Sequence, residues 1–297
     1  MTTRSPSAAY TALTTAAVVW GGSVVAQKVA LGPFSPVEVS IFRGLGALLI
    51  LIPLWLWSEG VVRFTLRDVG LLALLGVAVL ANHLLVLFGL QYIGAGAAGI
   101  IIGASPAITA FLASIILHDI PFRQAWVGCA VSFFGVLLVS GTNGEEGAGD
   151  NPLIGGCFIV LSLISWALYT IGSRKVMERF SSLTVNWTTL LISIFLQLPL
   201  LVLNQKMLSA GVQSVPISGW MALVYVVVFA TALGQQAWLF GVEGVGPSRA
   251  GIFINLIPVS ALVLSFVILG EVISVWDVVG VCFILGGVWL VNWQSAR

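Results

Sequence analysis

The chain has 297 residues, 59% of them hydrophobic and only 8% charged, and its mean hydropathy is +1.10. A soluble domain carries about 25% charged residues, so this composition excludes an ordinary soluble protein and indicates a polytopic membrane protein. Net charge is +1, which leaves no basic or acidic bias to single out nucleic acid as a partner.

Ten apolar segments follow one another along the chain: 8–31, 37–57, 68–90, 95–117, 124–141, 152–173, 182–203, 218–240, 248–269 and 274–293. Each is about long enough to cross a ~30 Å hydrocarbon core as a helix. Turn or charged residues separate them: Gly32-Pro33, Ser35-Pro36, Ser58-Glu59-Gly60, His118-Asp119 and the polar loop from Gly141 to Gly147. The first segment is long for a signal-peptide core and lacks a small-residue cleavage site, so it reads as an uncleaved first span. No series of segments alternates at period two, which argues against a β-barrel. Cys129, Cys157 and Cys282 all lie inside apolar segments and read as buried fillers rather than disulfides or metal ligands. Nothing in the sequence calls for a cofactor.

The chain repeats itself. Gly89 to Pro106, GLQYIGAGAAGIIIGASP, recurs without a gap as GVEGVGPSRAGIFINLIP from Gly241 to Pro258. In the same register Leu117, Gly128 and Gly135 fall on Leu269, Gly280 and Gly287. Earlier, in a register six residues shorter, Trp20 falls on Trp166, Lys28 on Arg174 and Pro53 on Pro199. Duplication explains such a pattern. The GAGAAG string formally matches a dinucleotide fingerprint, but no strand precedes it, so it reads as small residues allowing close helix contact.

Charge placement predicts orientation. With the N-terminus inside, Arg4, Arg63, Arg67, Arg123, Arg174, Lys175, Arg179, Arg249 and Arg297 all fall on the inner side, and only Lys206 falls outside. Five spans per half, an odd number, then force the halves into opposite orientations. The predicted fold is an all-α polytopic membrane protein of ten transmembrane helices. It has two inverted five-helix repeats, residues 1–143 and 152–297, joined by an extracytoplasmic linker, residues 144–151. A substrate site is expected near the midplane between such repeats.

Polar residues at membrane depth are costly and therefore functional candidates. His83, beside Asn82, lies well inside the third segment and falls on Gln235 in the eighth, next to Gln236. Both read as cavity-lining groups or as interhelical hydrogen-bonding groups. Ser162, Ser165, Trp166, Tyr169 and Ser173 share one helical face. Trp166 matches Trp20, whose span also carries Thr15, Ser23 and Gln27. Asn186, Thr189, Ser193 and Gln197 form a comparable face, and Thr231, Gln235 and Trp238 another. Such faces either line a wet cavity with aromatic walls or pack against neighbouring helices. Trp55, Trp57, Trp126, Trp276, Trp289 and Trp293 lie near span ends and read as interfacial anchors. Arg43 either meets a substrate carboxylate, gates the outer mouth, pairs with Glu271 or Asp277, or snorkels. Lys28 reads as a snorkelling side chain. Pro106 and Pro258 remove an amide donor in mid-span and are expected to loosen their helices as hinges. No Asp or Glu lies at mid-depth, which disfavours a carboxylate proton relay.

Trp20-Gly21-Gly22, Phe42-Arg43, the Gly89–Pro106 string with its copy, and Leu269-Gly270-Glu271 followed by Gly280 and Gly286-Gly287 resemble the EamA-type branch of the drug/metabolite transporter superfamily. Asp119 stands where that Glu would fall in the first half. Within the superfamily the chain looks most like bacterial inner-membrane exporters of aromatic amino acids. The resemblance implies a central cavity and alternating access. The expected function is export of aromatic or large neutral amino acids, with His83, Asn82, Gln235, Trp20, Trp166, Tyr169 and Trp238 contacting substrate. Rival readings are a broad metabolite or drug exporter of the same fold, and an intramembrane enzyme or non-transporting subunit. No HExxH, GxSxG or P-loop motif supports the enzyme. Expected partners are a small-molecule substrate and the lipid bilayer, with no nucleic acid and a monomeric state. The expected location is the bacterial inner membrane, with both termini cytoplasmic.

Overall fold

A computed structural model describes residues 6–59, 62–116, 123–142, 151–202, 206–245 and 250–292. The readings made above for Arg4, Arg249, Arg297, His118-Asp119, the 143–150 loop and Trp293 lie outside the described residues, as do those for the side chains of Arg123, Trp126 and Cys129. Among the described residues there are helices and turns but no strand. A chain this apolar meets that constraint in lipid because only a helix satisfies every backbone group within its own segment.

The helices are α1 (Pro6–Ala30), α2 (Pro36–Ser58), α3 (Leu66–Tyr92), α4 (Ala95–Ile102), α5 (Ser105–Ile116), α6 (Arg123–Thr142), α7 (Pro152–Val176), α8 (Ser182–Leu201), the short α9 (Met207–Ala210), α10 (Ile217–Tyr225), α11 (Gln235–Val245), α12 (Leu256–Leu264) and α13 (Val275–Asn292). A π-helical segment, Val226–Gly234, joins α10 to α11, and another, Ser265–Leu269, follows α12. Among the described residues, seven apolar helices are long enough to cross a bilayer, and Phe253–Leu269 and Val275–Gly287 form shorter apolar helices. The protein is therefore a multi-pass membrane protein. Its outer faces agree, since Leu49, Met221 and Val267 stand exposed where a soluble protein would carry charge.

Sequence signals account for the helix starts. Ser35 and Glu38 form a reciprocal capping box on α2, with Pro36 in its first turn. Thr65 and Asp68 do the same for α3. Ser181 caps α8 by accepting from the Thr184 amide. On the predicted inner side, Arg179 bridges to Asp68 at 2.9 Å, tying the α7 end to the start of α3.

The helices pair in a pattern that the sequence repeat explains. α1 packs on α11 and α12, whereas α7, its repeat equivalent, packs on α3 and α4–α5. α2 packs on α8, α4 on α12 and α6 on α13. Glycines of the repeated string allow close contacts of this kind. A Cβ on Gly99 would strike the Ala261 side chain inside any permissible distance, so α4 comes close to α12 there.

Both mid-span prolines interrupt regular helix, as expected. α4 stops at Ile102, and Gly103 and Ala104 form a tight turn before Pro106 near the start of α5. Pro258 lies in α12 just after a 3₁₀ segment, Ile252–Asn255. The missing amide and the ring's clash with the carbonyl four residues back put each irregularity ahead of its proline.

Trp55 is not an interfacial anchor. It is 8% exposed, packs against Trp187 with ring centroids 4.7 Å apart and donates to Thr184 Oγ1 at 3.0 Å. It faces α8 rather than lipid. Trp57, by contrast, is exposed, as are Trp276 and Trp289.

Candidate functional site

A cavity of about 100 Å³ lies in the middle of the molecule, walled by α1, α2, α3, α4–α5, α7, the π segment with α11, and the α12 region. Four repeat-related pairs line it together: Trp20 with Trp166, His83 with Gln235, Ile102 with Ile254, and Ser105 with Ile257. The cavity thus sits where the two halves face each other.

One wall is aromatic. Trp20 and Trp166 meet edge to face at 5.3 Å, and Trp238 closes the triangle at 5.3 Å from Trp20 and 6.1 Å from Trp166. Edge-to-face geometry suits the ring quadrupoles and holds the indoles rigidly. The Trp20 indole donates to the Ala230 carbonyl at 3.0 Å. Gly234 makes that possible, because a Cβ there would come within 2.9 Å of the Trp20 indole nitrogen and 2.8 Å of the Phe229 carbonyl. The wide π turn around Ala230 belongs to the same local device, and such segments recur at functional sites.

Polar groups share the lining. Asn82 donates to the Ser162 carbonyl at 3.0 Å, and Gln235 reaches the Tyr169 hydroxyl at 3.4 Å. Arg43 is buried. Its Nε donates to Thr231 Oγ1 at 3.0 Å and one Nη to Gln27 Oε1 at 3.3 Å. Gln27 in turn donates to the Ser23 hydroxyl at 2.9 Å, and Thr231 donates to the Val226 carbonyl at 2.7 Å. Ser105 Oγ lines the cavity with no hydrogen-bond partner.

His83, Asn82, Gln235, Trp20, Trp166 and Arg43 therefore come together on one cavity surface. Tyr169 and Trp238 do not reach that surface; they are fully buried behind it, where they support Gln235 and the indoles. Pro106 and Pro258 each follow a lining residue, Ser105 and Ile257.

Several readings change. The ion pair considered for Arg43 does not form: among the described residues its partners are neutral. Glu271 instead accepts from the Ala95 and Gly96 amides, both at 2.8 Å, and Asp277 accepts from the Ser274 amide at 2.9 Å. Those amides are unpaired first-turn donors, which bind a carboxylate well. Lys28 does not snorkel; it donates to the Leu90 and Ile93 carbonyls at the end of α3. The polar face of α8 is interhelical rather than cavity-lining. Thr189 and Ser193 bond back to carbonyls of their own helix, and Asn186 donates to Gln236 at 3.1 Å. Ser105 and the Ala230 carbonyl escaped sequence reading. A serine beside a mid-span proline was the available signal for the first; nothing in the sequence signals the π segment behind the second.

The model of the EamA-like transporter family matches residues 7–141 and again 153–293. The uncharacterized transporter YyaM of Bacillus subtilis (strain 168) is 29% identical over 90% of this chain and 88% of its own length. A protein of Streptantibioticus cattleyicolor named as a probable terminal-alkyne amino-acid exporter is 24% identical over 96% of this chain and 94% of its own. One solved crystal structure superposes with a TM-score of 0.72 at 18% identity, covering 99% of both chains; at that identity it speaks for the fold alone.

Proposed function

This chain belongs to the EamA-like transporter family, and from that premise we propose that it is a secondary transporter exporting aromatic or large neutral amino acids across the bacterial inner membrane. Its ten spans form two inverted five-helix repeats, residues 1–143 and 152–297, joined by the extracytoplasmic linker 144–151, with both termini cytoplasmic. The family model's two matches support the repeats, and so does the reciprocal helix pairing. Ser132 donates to the carbonyl of Ile284, its own repeat equivalent, at 3.1 Å, a contact between equivalent positions that supports a pairing of α6 with α13 across the two halves.

The observation that carries the reading is the cavity between the two halves, lined by tryptophans together with amide, imidazole, hydroxyl and guanidinium groups. An aromatic or large apolar side chain has a wall to pack on, and the backbone groups of an amino acid have hydrogen-bonding partners. His83, Asn82, Gln235, Trp20 and Trp166 contact the cargo, and Tyr169 and Trp238 hold them in place. The irregular backbone at Gly103–Ala104 and Ile252–Asn255 supplies the bending that exposes the cavity to one side and then the other, with Pro106 and Pro258 as hinges. A relative named as an amino-acid exporter supports the cargo class. The protein works as a monomer with a small-molecule cargo. Purified protein in liposomes is expected to move labelled phenylalanine, tryptophan or tyrosine down a gradient; failure with all three refutes the proposal.

A further inference from the structure

We infer that Arg43 selects cargo by negative charge, so that the site requires a carboxylate on the solute and dispenses with an amino group; aryl carboxylates are then cargo on equal terms with aromatic amino acids. The inference rests on the cavity being the cargo site and narrows its substrate class.

Arg43 is 6% exposed and, among the described residues, is the one permanently charged residue on the cavity surface. Both of its hydrogen-bond acceptors are neutral, and each is oriented by a second bond of its own, Gln27 to Ser23 and Thr231 to the Val226 carbonyl. The guanidinium is thereby held in one pose. It has five N–H donors, of which these bonds use two, and no carboxylate reaches it among the described residues. A buried cation in that condition is costly until an anion enters. A solute carboxylate supplies the missing charge with the planar geometry that guanidinium binds bidentately.

Among the described residues, no Asp or Glu lines the cavity. A solute ammonium therefore finds no counter-charge, and it enters a space already under the positive potential of Arg43. Ser105, 1% exposed and unpartnered, adds a neutral hydroxyl that serves an anion as donor. The tryptophan wall packs an aryl ring in either kind of solute. The carboxylate is thus read by charge, the ring by shape, and the amine by nothing specific.

Three probes test this with the purified full-length chain: phenylalanine, 3-phenylpropanoate, which lacks the amine, and phenethylamine, which lacks the carboxylate. Binding is read from quenching of tryptophan fluorescence and by calorimetry. Phenylpropanoate is expected to bind within about threefold of phenylalanine, and phenethylamine about tenfold or more weaker. Arg43→Gln is expected to bring phenylpropanoate and phenethylamine within about threefold of each other, and Arg43→Lys to keep the preference for anions. If Arg43→Gln does not fold, the wild-type series decides alone. Phenethylamine binding as tightly as phenylalanine overturns the inference, as does phenylpropanoate binding about tenfold worse than phenylalanine, or no binding of any probe. Phenylpropanoate bound without any transport of amino acids in liposomes refutes amino-acid export and upholds the charge selection. Phenylalanine transported while phenylpropanoate is ignored does the reverse.

Discussion

Glu271 offers the sharpest test of how the two halves hold together. It follows the π segment at the end of the ninth apolar stretch, yet both of its carboxylate oxygens serve the other half of the molecule, accepting from the first two amides of α4 at 2.8 Å each. Gly94, which precedes α4, provides no side-chain cap; glutamate from 176 residues away does that work. In Glu271→Gln the shape survives, but one acceptor oxygen becomes an NH2 facing an amide donor. One charge-assisted bond, about 1.5–3 kcal/mol, is lost, together with a helix-dipole interaction of about 0.3–1 kcal/mol. Glu271 is only partly buried, so solvent reduces these values, and a net loss of about 1.5–2.5 kcal/mol is expected. At roughly 2–4 °C per kcal/mol the melting temperature should fall by about 3–10 °C. Thermal unfolding of the purified protein, followed by tryptophan fluorescence, measures this directly. Glu271→Asp, too short to reach both amides, should fall between wild type and glutamine. A Glu271→Gln protein that melts within about 1 °C of wild type would refute the clasp.

Other expectations are briefer. His83→Ala should insert and fold but transport more slowly; wild-type rates in liposomes would remove His83 from the site. Ser105→Ala deletes a buried hydroxyl without a partner, so it should leave stability unchanged or raise it by up to about 1–3 kcal/mol while weakening cargo binding; a loss of stability with unchanged binding would show a structural role. Gly234→Val should displace the Trp20 indole and cut transport severely; unchanged transport and an unchanged tryptophan spectrum would contradict the packing. Pro258→Ala restores an amide and should stiffen the helix, raising the melting point while slowing turnover. Turnover equal to wild type would deny Pro258 a hinge role.

The sequence alone determined the class, the segments and the repeat. Low charge leaves a bilayer as the solvent that accommodates this surface, and within lipid, length and hydropathy are enough to mark helices. Register within the repeat located Trp20, Trp166, His83 and Gln235 as equivalent pairs, because duplicated halves keep equivalent depths. The tertiary structure decided which polar groups face the cavity. Helical periodicity places Asn186, Thr189 and Gln197 on one face as clearly as Ser162 and Trp166, but only packing shows that the first set meets other helices and the second meets the cavity. It also decided the charge partners. Arg43 hydrogen-bonds to the neutral Thr231 and Gln27, while Lys28 binds carbonyls at the end of α3 and Glu271 binds amides at the start of α4, close enough for these two charges to attract each other. Hydropathy carries no information about which helix end or hydroxyl comes within 3 Å of a charged side chain, since that follows from how the two halves dock.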